Sequence, residues 1–195
     1  HSIRLVSCEK PSSKSLNFLL RVLYMSEYFD KVDENDRVVG KVGRDYAHFH
    51  GIRHRAVHVF IQNKAAKWIL QKRSASKDID PLLWTSSCSG HVDCGESYSN
   101  AAVRECHEEL GILITPKDLI EILRLSPCKE TGMEFVRVYY QTKKFETFRH
   151  DPKEIRELKS YELSEIMDIS LHSKPMLSES FIHIFNLAYR KLSKL

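Results

Sequence analysis

Short runs of β-branched and aromatic residues follow Met25, and polar turns separate them, which predicts a series of β-strands. The acidic stretch 33–36 lies between the first two runs and predicts a hairpin turn. The run 56–61 is apolar at nearly every position, as is typical of a strand buried on both faces. The predicted strands cover 28–32, 38–42, 56–61, 68–73, 83–86, 119–125, 135–141 and 155–161.

Apolar residues recur with helical spacing in three later segments. The strongest is Ser97–Leu110, which begins with a serine suited to the N-cap and precedes Gly111, suited to a left-handed C-terminal position. A short helix is predicted at Ser164–Ile169, and a last helix is predicted to begin at Pro175. Its apolar stripe is Phe181, Ile184, Phe185, Ala188 and Leu192. The order of strands and helices predicts an α/β fold with a mixed sheet sandwiched between helices (α/β/α).

The composition fits one globular α/β domain. The 195 residues are 42% hydrophobic and 29% charged, which is enough apolar material for a core and too much charge for a membrane bundle. The net charge of +4 is compatible with a polyanionic ligand, but no block of like charge predicts a nucleic-acid-binding arm. No apolar run approaches the roughly 20 residues that span a bilayer, so no membrane contact is expected. Five cysteines without a CxxC pair predict free thiols in a reducing cytoplasm.

Residues 1–24 differ from the rest because they are rich in serine and basic residues. We therefore treat 1–24 as an N-terminal extension of unknown role and 25–195 as the domain. Three interpretations of the extension stay open: a targeting peptide, a short packing helix, or sequence upstream of a natural start at Met25. No feature of the sequence decides the oligomeric state; a homodimer is compatible with it but has no support.

Three carboxylates crowd one face of the predicted helix 97–110. At about 100° per residue, Glu105, Glu108 and Glu109 are neighbours, and Arg104 flanks them. Such a cluster is repulsive unless a cation lies between the carboxylates, and Mg²⁺ prefers oxygen ligands of this kind. The alternative interpretation is a solvated acidic helix face. Glycines before the helix favour the cation, because they let the backbone turn tightly and approach a ligand.

The stretch 90–112 resembles the Nudix box, in which spaced Gly, Glu and Arg-Glu positions precede a Glu-Glu pair and a glycine. The matching residues are Gly90, Glu96, Arg104, Glu105, Cys106, Glu108, Glu109, Gly111 and Ile112. The resemblance implies the Nudix fold and membership of the Nudix hydrolase superfamily. It also implies a Mg²⁺-dependent pyrophosphatase acting on a small-molecule diphosphate, in particular a nucleoside diphosphate linked to another moiety. Mn²⁺ could replace Mg²⁺.

The same resemblance assigns roles to individual residues. The implied metal ligands are Gly90 (through its carbonyl), Glu105, Glu108 and Glu109. Arg104 and Glu96 are expected to pair and to hold the loop against the helix. A metal-activated water would attack phosphorus, with Glu109 as the first candidate for the general base and Glu154 or Glu157 as the second. The residues assigned to catalysis are Arg104, Glu108, Glu109 and Glu154. A solvated pair is an equal alternative for Glu154 and Glu157.

A wider resemblance, covering 28–161, is to the Nudix subfamily related to isopentenyl-diphosphate isomerase. It is carried by the segments 54–59, 70–74, 84–85 and 90–91. Those isomerases use a histidine-rich metal site, a catalytic cysteine and a catalytic glutamate. The residues that match the metal site are His48, His54, His91 and Glu134, which form an alternative metal site. Surface or loop positions are the other interpretation of His48, His50 and His54. His58 is expected to be a satisfied core residue.

Two departures from that subfamily argue against isomerase chemistry. Ser89 stands where the isomerase has its cysteine, and Cys88 is one residue away, which on a strand points to the opposite face. Val136 stands where the isomerase has its essential glutamate. Hydrolysis is therefore the main hypothesis, and isopentenyl-diphosphate Δ-isomerase is the alternative. A second alternative is a non-catalytic Nudix module that only binds a nucleotide.

Overall fold

A computed structural model describes residues 27–195, apart from the side chain of Lys174. The expected extension 1–24 lies outside the described residues. The strands are β1 (Tyr28–Val32), β2 (Val38–Gly43), β3 (His54–Asn63), β4 (Trp68–Arg73), β5 (Trp84–Thr85), β6 (Cys88–His91), β7 (Leu119–Leu125), β8 (Glu134–Phe145) and β9 (Ile155–Tyr161). The helices are α1 (Arg44–His50), α2 (Tyr98–Leu110), α3 (Leu163–His172) and α4 (Glu179–Leu192). No helix within this range is long and apolar enough to cross a membrane.

The strands of the described region form a mixed sheet and a separate two-stranded ribbon, β1–β2. In the sheet the order is β5-β4-β3-β8-β7, while β6 pairs with β3 and β9 pairs with β4. β3 and β8 run parallel, and the other pairs are antiparallel. The register sets His54 beside Glu134 and Ala56 beside His91, so residues from three strands meet at one end of β3.

Helices cover both faces of the sheet because side chains of β3 alternate between two apolar clusters. Val57 packs in one cluster with residues of α2 such as Cys106. Phe60 packs in the other cluster with Phe181 of α4 and Ile166 of α3. This α/β/α arrangement confirms the predicted fold class.

Helix α2 begins and ends where the sequence predicts. The Ser97 hydroxyl accepts a hydrogen bond from the Asn100 backbone N–H at 3.3 Å, which is the expected N-cap interaction. Gly111 adopts a left-handed φ of 65° after the last turn, and its N–H bonds back to helix carbonyls. These ends determine which residues form the helix, and therefore which of them face the sheet.

The last helix begins later than predicted. Pro175 lies in a separate 3₁₀ turn, Lys174–Met176, and α4 starts at Glu179. The Ser178 hydroxyl accepts a hydrogen bond from the Phe181 N–H, so this serine is the N-cap and determines where the helix begins.

Two elements that carry candidate ligands are absent from the predicted set. Helix α1 has a single buried residue, Ala47, so helical periodicity is not visible in its short sequence. Strand β6 contains serine, glycine and histidine rather than β-branched residues, and it forms because it pairs with β3. His48 lies on α1 and His91 lies on β6.

Replacing Gly111 by alanine should destabilise the protein more than the same change at Gly132. Both glycines have a left-handed φ, of 65° and 64°, a conformation that costs an L-residue about 1–2 kcal/mol. A Cβ at Gly111 would also lie 2.7 Å from the Arg149 carbonyl oxygen, whereas no described atom lies within 4 Å of a Cβ at Gly132. Urea unfolding should therefore show the larger loss of unfolding free energy for Gly111→Ala. Equal losses would contradict the importance of the Arg149 contact.

Candidate active site

A cleft of about 1380 Å³ is lined by residues from α1, α2, β6, the start of β8 and the loop that follows β4. The predicted site residues in its lining are His48, Gly90, His91, Arg104, Glu105, Glu108, Glu109, Glu134 and Glu154. Carboxylates in the lining outnumber Lys and Arg residues by eleven to five. Because like charges repel, cations in this cleft would favour the binding of an anionic ligand.

Strand β6 and helix α2 approach each other closely at Gly90. A Cβ atom added to Gly90 would lie 2.1 Å from the carboxyl carbon of Glu105, so the glycine leaves the space that this side chain occupies. The Glu105 side chain is only 14% exposed. The Glu108 side chain, one turn further along α2, is 55% exposed. Glu105 and Glu108 are neighbours on the helix, but Glu105 lies deeper in the cleft than Glu108.

Glu109 is the deepest carboxylate of the set, with an exposure of 4%. Its Oε2 accepts hydrogen bonds from Gln71 Nε2 at 3.0 Å and from the Ser89 N–H at 3.2 Å. These donors offset part of the cost of burying a charged group. Sequence reasoning missed Gln71, because one glutamine within an apolar strand does not show which residue of a distant helix it contacts.

The guanidinium of Arg104 joins the loop before α2 to the acidic face of the helix. It donates to both carboxylate oxygens of Glu96, at 3.1 and 2.9 Å, and to the His91 carbonyl at 2.9 Å. It also donates to Glu105 at 2.8 Å and to Glu108 at 3.0 Å. The structure therefore places Arg104 where it holds the loop against the helix, while its contribution to catalysis stays a prediction.

One arginine does not neutralise this acidic cluster. Burial, together with the charge of Glu109, raises the pKa of Glu105 to about 8. Burial also raises the pKa of Glu109 to about 6, against hydrogen bonds that favour its charged form. A bound cation would reverse both shifts, because it stabilises charged carboxylates. The cluster therefore has the electrostatics of a cation site.

The two later acidic candidates have different surroundings. Glu154 lines the cleft, and its Oε2 accepts a hydrogen bond from Lys77 Nζ at 2.5 Å. Glu157 is exposed on β9 and is not part of the cleft lining. Glu154 thus stays a candidate base, while Glu157 fits the alternative of a solvated side chain.

A second set of ligating side chains lies at the same cleft. One ligand atom from each of His48, His54, His91 and Glu134 lies within 4.8 Å of the others. Glu134 Oε1 is 3.0 Å from His91 Nε2 and 3.4 Å from His54 Nε2. His54 Nδ1 donates to the Ile52 carbonyl at 2.7 Å, which in the neutral ring leaves Nε2 free to bind a cation. The structure therefore brings together the four residues of the alternative metal site.

Two nitrogens of this set are buried without a partner. Nε2 of His48 and Nε2 of His54 accept no hydrogen bond from any described residue. Burial, followed by the neighbouring His91 and His54, lowers the pKa of His48 to about 4, so its ring is neutral near pH 7. Burial by itself would raise the pKa of the Glu134 carboxyl. The interactions with His54 and His91 outweigh burial and hold this pKa well below its usual range. Three imidazoles beside a charged carboxylate form a donor set that fits a metal ion.

The β1–β2 ribbon supports the histidine set. The Phe29 ring stacks on the rings of His54 and His91, with centroid distances of 4.9 and 4.5 Å. The turn of the ribbon is tied to the sheet, because Asp36 accepts a hydrogen bond from Arg55 Nε at 2.6 Å. The ribbon therefore packs against His54 and His91 through Phe29, which is not itself a metal ligand.

His58 is a buried, hydrogen-bonded histidine, as expected, and it also lines the cleft. It is 6% exposed, and its Nδ1 lies 2.8 Å from the Ser86 hydroxyl. Burial lowers the pKa of His58 to about 4, so the ring is neutral and hydrogen-bonded.

The residues that would distinguish isomerase chemistry lie in different places. Ser89 lines the cleft, whereas Cys88 is fully buried in the apolar cluster beside Cys106. Burial raises the pKa of the Cys88 thiol. Val136 is 1% exposed in the apolar cluster on the α4 side. Of the cysteines in the described region, none lines the cleft.

The family model for the NUDIX domain matches residues 52–180. This chain belongs to the NUDIX family. The match includes α2 and the candidate ligands His54, His91 and Glu134, while α1 with His48 precedes it.

Nudix relatives include both hydrolases and isomerases. The chain is 42% identical over 91 residues to the uncharacterized Nudix hydrolase SCO1686 of Streptomyces coelicolor. This match covers 47% of this chain and 50% of the relative. The chain is 43% identical over 81 residues to isopentenyl-diphosphate Delta-isomerase 1 of Aromatoleum aromaticum, covering 42% and 46%. It thus spans about half the length of these relatives. The crystal structure of DR0079 from Deinococcus radiodurans superposes with a TM-score of 0.71 at 26% identity, covering 84% of this chain and 99% of that one.

We expect Glu105→Gln to stabilise the metal-free protein at pH 8 but not at pH 5. The folded pKa of Glu105 is about 8 against an ordinary value of 4.5, so the folded state binds more protons between these limits and stability falls as pH rises. The amide of the Glu105→Gln variant cannot ionise, so the variant does not lose stability in this way as the pH rises. Thermal unfolding in EDTA measures the effect, and Mg²⁺ should abolish it at pH 8. The same Tm difference at both pH values would show that Glu105 does not titrate in this window.

Proposed function

We propose that this chain is a divalent-cation-dependent Nudix hydrolase that cleaves the diphosphate linkage of a nucleoside diphosphate joined to another group. The observation that carries the proposal is the set Glu105, Glu108 and Glu109 on one face of α2, in a cleft rich in carboxylates. Its oxygen donors suit Mg²⁺, with Mn²⁺ as a substitute. The raised pKa values of two of the three acids support a cation between them.

The carboxylates of α2 and the neighbouring Arg104 would bind the cation, accept a proton and hold the site together in this reaction. A bound Mg²⁺ would supply a water of lowered pKa and neutralise charge on the phosphate oxygens. Glu109 would accept the proton of the attacking water, since it is a buried carboxylate at the cleft whose Oε2 is held by Gln71 and by the Ser89 N–H. Glu105, Glu108 and Glu109 would hold the cation. Arg104 would keep Glu105, Glu108 and the preceding loop in place. Glu154 is the second candidate base, and it must leave Lys77 to act.

The set His48, His54, His91 and Glu134 supports a second cation in the same cleft. Its buried, unpartnered Nε2 atoms are the observation in favour of this site. Three imidazoles with one carboxylate suit a transition metal such as Zn²⁺ better than Mg²⁺, which prefers oxygen ligands. The second cation would add to the positive charge available to an anionic substrate.

Isopentenyl-diphosphate isomerisation is the competing function, and similarity to an isomerase favours it. That reaction needs a thiol and a carboxylate on opposite sides of the substrate, but Ser89 and Val136 occupy those positions here. Cys88 is a poor replacement for the missing thiol, because it is fully buried and does not line the cleft. A non-catalytic nucleotide-binding module is the other alternative, and the intact carboxylates of α2 argue against it.

Glu109→Gln should lower kcat for Mg²⁺-dependent hydrolysis by about 100- to 10,000-fold, because the amide cannot accept the proton. Glu108→Gln should weaken Mg²⁺ activation, since it removes a charged ligand. Release of phosphate or mononucleotide over a panel of nucleoside diphosphate derivatives measures both effects. Glu157→Gln is the matched control, because this exposed glutamate does not line the cleft.

Equal activity of wild type, Glu108→Gln and Glu109→Gln would reject the assigned roles. Isopentenyl diphosphate belongs in the same panel as an isomerisation substrate. Turnover of that substrate, abolished by Cys88→Ser, would establish the competing function instead.

His48→Ala should reduce the affinity of a second cation by more than the roughly 10–100-fold that loss of an outer partner costs. The control is His50→Ala, because His50 lies on the same helix but is exposed and outside the set. Isothermal titration with Zn²⁺ and metal analysis of the purified protein provide the readouts. Unchanged Zn²⁺ binding in His48→Ala would mean that the histidine set is not a metal site.

A further inference from the structure

The hydrogen bonds to Glu109 are distributed unequally between its two oxygens. A carboxylate with 4% exposure needs hydrogen bonds to stay charged. Gln71 Nε2 and the Ser89 N–H both donate to Oε2, at 3.0 and 3.2 Å. The Cys88 thiol is a further hydrogen-bond donor to this carboxyl group. Neither the Gln71 amide nor the Ser89 N–H contacts Oε1, so this second oxygen is left to the thiol, a cation or a water.

The sheet holds Gln71 in place. Its backbone is paired with Thr85 of β5 on one side and with Leu158 of β9 on the other, so β4 is an internal strand here. The residue is 1% exposed, and Ile69, two positions earlier on the same face, is 5% exposed. A carboxamide in such surroundings costs free energy unless its polar atoms are paired. The hydrogen bond from Gln71 to Glu109 therefore offsets the cost of burying the Gln71 amide.

We propose that Gln71 is a positioning residue for Glu109: its amide holds Oε2 and thereby presents Oε1 to the bound cation and the attacking water. This inference rests on the proposed function. Gln71 lies outside the Nudix box, 38 residues before Glu109. A carboxylate with one oxygen held loses rotational freedom, so cation binding and proton transfer start from one orientation.

Gln62 offers a matched control within the same chain. It is also a buried glutamine, 6% exposed, and its side-chain oxygen accepts a hydrogen bond from the Tyr140 hydroxyl at 3.1 Å. Gln62 lies on β3 and does not line the cleft. If Gln71 only filled space in the sheet, the change to methionine should have the same consequences at both positions.

The test compares Gln71→Met and Gln62→Met with the wild type by steady-state kinetics and by Mn²⁺ binding, followed by electron paramagnetic resonance. Methionine keeps the size of the side chain but has no donor. We expect Gln71→Met to lower kcat by about 10–100-fold with KM nearly unchanged, and to weaken Mn²⁺ binding by a similar factor. Gln62→Met should change neither. Any Mn²⁺ bound by the histidine set is common to all variants and cancels in the comparison.

Two further variants make the outcome decisive. In Gln71→Asn the amide is one methylene too short to reach Glu109, so this variant should show the same loss of kcat and Mn²⁺ affinity. It takes the place of Gln71→Met in the comparison if Gln71→Met does not fold. If Glu109→Gln loses kcat and Mn²⁺ affinity while the Gln71 variants match Gln62→Met, the positioning role is overturned and the proposed function stands. If Glu109→Gln keeps both the kcat and the Mn²⁺ affinity of the wild type, the role proposed for Glu109 fails and the positioning role fails with it.

Discussion

The close approach of β6 to α2 is the contact on which the rest of the site depends. Gly90 leaves space for the Glu105 carboxylate, and Glu109 is buried one turn further along the helix. Burial of like charges is unfavourable unless they are paired or neutralised. Arg104 and the donors around Glu109 compensate for part of this cost. The part of the cost that is not compensated favours a bound cation, because a cation would relieve the repulsion between the carboxylates.

The register of β3 explains why a second donor set lies at the same cleft. β3 pairs with β8 and β6 at one end, which places His54, Glu134 and His91 together. The ribbon β1–β2 packs Phe29 against two of these rings, and α1 adds His48. Two donor sets with different chemistry therefore share one cleft: carboxylates that suit Mg²⁺, and imidazoles that suit a softer metal.

The resemblance to isomerases implies a metal role for the histidine set, but Ser89 and Val136 depart from the isomerase pattern at the positions that move protons in isomerisation. Successive residues of a strand point to opposite faces, so Cys88 and Ser89 cannot exchange roles without a change of register. The thiol lies in the apolar cluster beneath α2, and the hydroxyl lies at the cleft. The isomerase from Aromatoleum aromaticum matches 42% of this chain at 43% identity, and Ser89 and Val136 are the positions at which this chain departs from the isomerase pattern.

The sequence by itself determined the features that depend on neighbours a few residues apart. The face shared by Glu105, Glu108 and Glu109 and the caps of α2 follow from helical spacing and from local hydrogen bonds, as does the α/β order of elements. Tertiary structure alone decided that α1 forms, that Ser178 rather than Pro175 begins the last helix, and that Gln71 meets Glu109. These features depend on pairing register and on contacts between distant segments. Local patterns do not encode such contacts, because their free energy exists only after the strands and helices have packed together.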